Sequence, residues 1–443
     1  MSKNRLKLLL LALMTSVSVP SIGASIDHVQ NFSAEYGGNP AQQGAINMGS
    51  TVYFNPAGLM RLEDGTYIVG GVQYGFGSQS MNSGGKDCST DLSAPPIPNF
   101  ALYKKVKNGA YYWTIGGIGG GGELEYKNGI PLSINLLGNE IDFNKFLNNS
   151  TIKGSNMLAQ TTLGRAFNLT DKWSVSLAVR GVYGKRTMKA HTGVDKNVNI
   201  GELIGVRALS IPIFKEGSAS IDSEREAFGF GGQFGLNYAL NDRLNIGFRY
   251  DTKVRLKFKT KSDIDDNTYG QALSLGGMGK PRVGISSALL GLYPVYKDGA
   301  KVRRDLPAIA ALGASYKMTD KWTTFLGGNY YFNESASIDR VGKEIDYKNG
   351  WEVAIGSEYW FIEKMAWLVG LNYADTGAPN QRFSPTESAL NSVVLGTGFK
   401  YRANEEMEWT FAFNHYIYDS KTVENIKYEK KISSLGINFV KKL

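Results

Sequence analysis

An all-β chain closing into a transmembrane antiparallel β-barrel of about fourteen strands is the fold this sequence predicts, on three observations. From Gly65 onward the chain runs in segments of about ten residues whose apolar and polar side chains alternate with period two, the pattern of a wall with one lipid face and one lumenal face. Short polar turns alternate with much longer connections, as in barrels with tight turns on one rim and long loops on the other. No stretch after the N-terminal leader holds the roughly 18 consecutive apolar residues of a membrane helix, so a membrane form of this chain must satisfy its backbone by closed strand pairing.

Composition agrees. The 443 residues include 53 Gly, 24 Tyr and 21 Phe, and the mean hydropathy is only -0.23, as a wall with one wet face requires. The formal net charge is +9, of which Lys3, Arg5 and Lys7 of the leader supply three. That mild excess carries no nucleic-acid patch. Cys88, the sole cysteine, rules out an intramolecular disulfide and is expected in a loop.

Taken in order, Met1 to Ala24 is a secretory signal: basic Lys3, Arg5 and Lys7, an apolar run from Leu8 to Met14, then small residues up to Ala24. Residues 25–64 are rich in Asn, Gly and Gln with little alternation, and are expected to form an N-terminal hatch, or plug, in the lumen. Near its end lies Asn55-Pro56-Ala57-Gly58, a turn-former in which Pro fixes φ and Gly relaxes it, read as the hatch hinge. Residues 65–443 make the barrel. Its strands are expected at 65–77, 98–106, 110–122, 155–168, 173–188, 223–240, 244–260, 304–318, 321–334, 348–360, 365–374, 389–402, 406–419 and 427–440. Six short turns, at Lys107, Thr170, Asn241, Thr319, Ile362 and Asn404, separate pairs of them, and Trp173, Trp322, Trp367 and Trp409 follow as an interfacial girdle. The long connections are about 123–155, 189–222 and 261–303.

Alternation assigns faces. Phe228, Phe230, Phe234, Leu236 and Tyr238 should face lipid, as should Leu244, Ile246, Phe248, Tyr250, Val254, Leu256 and Phe258. The intervening residues then place a basic column of Arg249, Lys253, Arg255 and Lys257 in the lumen. With Arg180 inward on the fifth strand, Arg180, Arg249, Lys253 and Arg255 are the candidates to hold a ligand carboxylate by charge-assisted hydrogen bonds.

Catalysis finds no support. His28, His191 and His415 form no metal-spaced pair, and no nucleophile or metalloprotease motif is present. No cofactor or metal is expected. Two other features point to apolar cargo. Gly116, Gly117, Gly119, Gly120 and Gly121 strip side chains from the third strand and predict a kink there. The long connections are greasy, with Leu132, Leu136, Leu137, Leu209, Phe214, Leu289, Leu290 and Leu292 as candidates for an outer binding groove.

Asn55-Pro56-Ala57-Gly58-Leu59, the strand Arg243 to Tyr250, Leu306-Pro307-Ala308 with Leu312 to Tyr316 and Thr319-Asp320-Lys321-Trp322, and Gly396 to Tyr401 together resemble the FadL-like family of outer-membrane long-chain fatty acid and hydrocarbon transporters. The resemblance implies passive uptake of hydrophobic ligands, long-chain fatty acids foremost, through an outer groove, an inner pocket and lateral exit at a kinked third strand. It also implies residence in the outer membrane of a Gram-negative bacterium, with fatty acids, outer-membrane lipid and the barrel assembly machinery as partners and a monomeric state. The ending Phe439-Val440-Lys441-Lys442-Leu443 departs from the aromatic terminus common in such barrels. A surface structural or adhesive barrel and a general polar porin are the alternatives.

Overall fold

The structure, a computed structural model, describes residues 31–83, 86–93, 96–131, 133–136, 139–199, 201–202, 212–270, 284–339, 347–383 and 387–443. Fourteen antiparallel wall strands close on themselves. They are β1 (Gly65–Ser83), β2 (Ile97–Val106), β3 (Gly109–Tyr126), β4 (Asn148–Asn168), β5 (Trp173–Val194), β6 (Gly217–Ala239), β7 (Leu244–Asp251 and Lys257–Asp266) and β8 (Lys301–Arg303 and Ile309–Lys317), followed by β9 (Trp322–Tyr331), β10 (Gly350–Ile362), β11 (Met365–Asp375), β12 (Ser392–Asn404), β13 (Met407–Tyr418) and β14 (Ile426–Lys442). β14 returns to β1 in unbroken register from Lys442 opposite Tyr67 to Ile426 opposite Ser83, which closes the sheet into a barrel.

The six expected tight turns lie on one rim, and their side chains explain them. In the two Thr-Asp-Lys-Trp repeats the threonine hydroxyl accepts from the backbone two and three residues on, at 3.3 and 3.0 Å for Thr170 and at 3.3 and 3.1 Å for Thr319. Asn241 does the same toward Arg243 and Leu244. Above these turns Trp173, Trp322 and Trp367 stand exposed on the outer face, and Trp173 stacks on Tyr238 at 4.3 Å. A second aromatic row, with Tyr330 and Trp351 in register and Tyr250 packed on Phe332, marks the other membrane boundary. Between them Leu163, Val179, Phe230, Leu312, Leu326 and Ile355 are exposed, the sign of a wall meant for lipid.

Two sequence expectations need correction. Cys88 is not in a loop; it is buried in an added strand, Lys86–Ser93, that pairs with the outer half of β1. The long regular strand expected at 244–260 breaks after Asp251. Lys259 is eight positions beyond Asp251, but their partners Glu226 and Gln233 on β6 are only seven positions apart. One extra residue reverses every side chain beyond it. Val254, Leu256 and Phe258 therefore turn inward and are buried, while Arg255 and Lys257 turn outward.

Residues 31–62 pack against inward-facing side chains around the wall. Within this N-terminal segment are α1 (Ala34–Gly38), capped by the Ser33 hydroxyl accepting from Tyr36 N, α2 (Thr51–Phe54) and a 3₁₀ turn at Pro56–Arg61. Ser315 Oγ and Asn245 Nδ2 donate to Gly44 O at 2.8 and 3.1 Å, Asn438 Oδ1 accepts from Ala34 N at 3.0 Å, and Asn99 Nδ2 donates to Phe32 O at 3.1 Å. Contact is close enough that a Cβ on Gly44 would lie 2.6 Å from Ala314 Cα.

Candidate functional site

The glycine run of β3 produces the discontinuity that the sequence suggested. Pairing between β2 and β3 proceeds from Val106 opposite Gly109 to Asn99 opposite Gly116, and stops. On its other edge β3 slips twice against β4, between Gly117 and Gly119 and again between Gly120 and Gly122. Gly120 has φ +120°, and a Cβ there would fall 2.2 Å from Asn156 O, so only glycine fits. The facing strand contributes as well: Pro96 and Pro98 at the start of β2 have no N–H to offer a ladder. Two prolines within three residues are legible in the sequence as a second local cause of the break, beside the glycines. Ile97 stands over Gly117, its Cγ2 2.6 Å from where a Cβ would be, and it packs on Phe32 of the N-terminal segment.

A cavity with about 860 Å³ of empty space, its open mouth included, lies inside this part of the wall. Ile115, Gly116, Gly117 and Ile118 line one side and Val52, Tyr53 and Phe54 of α2 another, with Arg180, Arg249 and Asp251 opposite. Arg180 Nε and Nη2 donate to Gln160 Oε1 at 2.9 and 2.7 Å, and its Nη1 is 3.9 Å from Asp251 Oδ1. Arg249 Nε is 3.2 Å from Asp251 Oδ2, and its Nη1 donates to Tyr53 O at 2.5 Å. Gln233 also donates to Asp251, at 2.8 Å. Two guanidinium groups thus share one carboxylate among these three residues, which leaves one positive charge facing the cavity.

Outward of this polar layer the lumen turns apolar. Leu158, Val182, Val254, Leu256, Phe258, Leu306 and Ile309 form one buried cluster, with Ile118 packed against it. The slip after Asp251 brings three of these inside. Further out, β4, β5 and β6 meet the helix Ile285–Leu292 around a mostly apolar groove of about 790 Å³ of empty space, lined by Ile130, Leu147, Ile152, Met188, Leu290 and Tyr293, among others.

The sequence candidates separate accordingly. Arg180 and Arg249 meet at the cavity. Lys253 and Arg255 do not: Lys253 Nζ donates to Ser335 O at 2.7 Å, and Arg255 points out of the barrel. The expected basic column therefore ends at Arg249, because the one-residue slip exchanges the faces. Of the groove candidates, Leu290 lines the outer pocket, whereas Phe214 is buried beside Tyr269. Leu132, Leu137 and Leu209 lie outside the described residues, and only the backbone of Leu136, Leu289 and Leu292 is described. Ile152, Met188 and Tyr296 line the groove without having been singled out, because they sit on wall extensions and a turn outside the greasy runs. Asn55 to Gly58 is tied down: Asn55 Nδ2 donates to Asn237 Oδ1 at 2.6 Å, and Ala57 O accepts from Ser174 Oγ at 2.8 Å. No cluster of metal ligands occurs among the described residues.

Comparison with known proteins places this architecture. Residues 140–439 match the family model described as outer membrane protein transport protein (OMPP1/FadL/TodX). Outer membrane protein P1 of Haemophilus influenzae is 24% identical over 264 residues, covering 57% of this chain and 54% of that one. The long-chain fatty acid transport protein of Escherichia coli strain K12 is 22% identical over 264 residues, covering 55% and 56%. The chain therefore aligns with about half the length of these curated relatives. Two solved structures share the fold: the Ralstonia pickettii toluene transporter TbuX, with TM-score 0.61, 16% identity and coverage of 94% and 99%, and a Pseudomonas aeruginosa FadL homologue, with TM-score 0.65, 14% identity and coverage of 96% and 99%. With a closed fourteen-stranded barrel and a family match over most of its length, the chain belongs to the OMPP1/FadL/TodX family of outer membrane transport proteins and is an outer-membrane protein.

Proposed function

We propose that the protein carries long-chain fatty acids passively across the outer membrane, by way of the outer groove, the apolar lumen, the Arg180–Arg249 cavity and the break beside Gly116 to Gly122, with residues 25–64 acting as the hatch. The observation that carries this reading is the juxtaposition of a lumenal cavity with a wall strand whose pairing with β2 ends at Gly116 and whose pairing with β4 slips twice. An acyl chain gains roughly 0.8 kcal/mol per methylene removed from water, so a route from groove to pocket to bilayer keeps the ligand out of an aqueous pore. The surplus guanidinium charge supplies the preference for an acid: one charged hydrogen bond is worth about 1.5–3 kcal/mol, enough to orient a carboxylate without trapping it. Transport of this kind needs no catalytic group.

The test replaces Gly119 and Gly121 by valine, with Gly120 left in place to avoid backbone strain at its positive φ. Uptake of labelled oleate should fall severalfold while the amount of heat-modifiable barrel in the outer membrane stays constant. Unchanged uptake with normal assembly would remove the lateral route.

A further inference from the structure

The slip that empties the lumen of its expected basic column also builds a basic band outside. From the link before the second segment of β7 into that segment, Arg255, Lys257, Lys259 and Lys261 all face outward and are exposed, while Val254, Leu256 and Phe258 beside them are buried. β8 adds more cations in register: Arg303 lies opposite Lys257, and Lys301 opposite Lys259. Like charges directly opposite on neighbouring strands repel. Arg303 is relieved by Asp305. Arg255, Lys257, Lys259, Lys261 and Lys301 form no ion pair among the described residues.

The nearest acids, Glu226 and Glu224 of β6, stand opposite Lys259 and Lys261 in register but are engaged by other groups, and further acids lie farther out. On β6, Glu224 pairs with Lys185 at 2.7 Å, Asp222 pairs with Lys189 at 2.6 Å, and Glu226 accepts from Tyr183 at 2.5 Å. Asp263 and Asp265 continue the β7 column beyond Lys261, and Asp298 caps Ser262 N. Arg255 comes five residues after Tyr250, whose contact with Phe332 belongs to the aromatic row on the long-loop side. A strand rises about 3.3 Å per residue, so the cations begin directly above the lipid belt and look sideways along the membrane.

We propose that this band is a docking site for the phosphorylated headgroups of outer-leaflet lipid, with Lys257, Lys259 and Lys301 as the principal contacts. Its position selects a membrane-borne anion: the cations face away from the lumen and adjoin the hydrocarbon boundary, where headgroup phosphates lie beside acyl chains packed on the wall. Phosphate also relieves the repulsion across the β7–β8 ladder, since one oxygen-rich anion can bridge opposed ammonium groups. The ladder itself is held by backbone hydrogen bonds, so neutralising these side chains leaves it intact.

The test uses the full mature chain in neutral detergent, with bis-phosphorylated lipid A as the probe and native mass spectrometry as the readout. A lysine beside an anionic membrane surface is worth about fivefold in affinity, so K257Q/K259Q/K301Q should bind at least about tenfold more weakly. K172Q/K321Q/K364Q, with the same charge change on the opposite rim, should bind as the parent does, and K257R/K259R/K301R should restore binding. Equal affinity of the first variant and the parent overturns the proposal. So does an equal loss in the opposite-rim variant, which would make the attraction one of net charge, or displacement of the lipid by equimolar inorganic phosphate, which would make the site one for free anions.

Discussion

Arg180 and Arg249 show how far a single side chain can be argued. Both were expected inside from alternation alone, and both reach the cavity, where Asp251 answers only one of the two charges. Arg180 is nearly fully buried and also grips Gln160 through two donors. Arg180→Gln should therefore weaken binding of a fluorescent fatty acid about tenfold, the loss of one charged hydrogen bond, and leave a neutral alkane of equal length nearly unaffected. Isothermal titration with both ligands checks this; equal losses would assign Arg180 a structural role. Gly44 makes the complementary case. Its missing side chain lets the N-terminal segment touch β8, so Gly44→Val must push the two apart. The expected result is a rise in single-channel conductance in planar bilayers with little change in barrel melting.

The segments 301–306, 336–339 and 387–391 are joined by a charge cluster at the outer end of the barrel. Asp339 lies 3.0, 3.3 and 3.4 Å from Arg304, Arg186 and Arg225, and Glu387 accepts from Arg304 at 3.0 Å and from Tyr347 at 2.6 Å. Burial by itself would raise the pKa of both carboxyls. For Asp339 the guanidinium groups of Arg304, Arg225 and Arg186 outweigh it and hold the carboxyl below its ordinary range; for Glu387, Arg304 leads and the Tyr347 hydroxyl contributes. A depressed carboxyl stabilises the folded state fully above its unfolded pKa, and that contribution is lost as pH falls through the lower folded value. The contribution of this cluster should be constant from pH 8 to about 5 and begin to decline only below about pH 4, as the pH drops toward the lower folded values. Hydrogen exchange across 301–306 and 336–339, normalised to the intrinsic exchange rate at each pH, should show opening that grows as pH falls below about 4 and none of it at neutral pH.

At the scale of the whole molecule, a barrel of this strand number would be an open pore were its lumen not occupied. Residues 31–62 are hydrogen-bonded to β2, β6, β7, β8, β13 and β14 by way of Asn99, Asn237, Asn245, Ser315, Thr410 and Asn438, so the occupancy is held by polar side chains on both sides of the ring. Deleting 31–62 should leave a closed sheet, because β1 and β14 pair independently of the segment. The product is expected to conduct ions steadily in planar bilayers and to lose selective fatty acid uptake, and persistence of selective uptake would remove the segment from the transport route.

Strand number, turn positions, the aromatic girdle on the short-turn rim and the glycine break were legible in the sequence, because each depends on local chemistry. Alternation needs only period two, Thr-Asp-Lys-Trp carries its own turn, and glycine runs weaken a ladder wherever they fall. What lies inside the barrel beyond Asp251 was decided by tertiary structure. A one-residue slip leaves no mark in composition, since residues 252–258 read equally well with either face inward, and pairing with both β6 and β8 selects the face. That choice turned the expected lumenal column of Arg255 and Lys257 to the outside and set Val254, Leu256 and Phe258 in the lumen, for the physical reason that register in a sheet belongs to two strands at once and cannot be read from one.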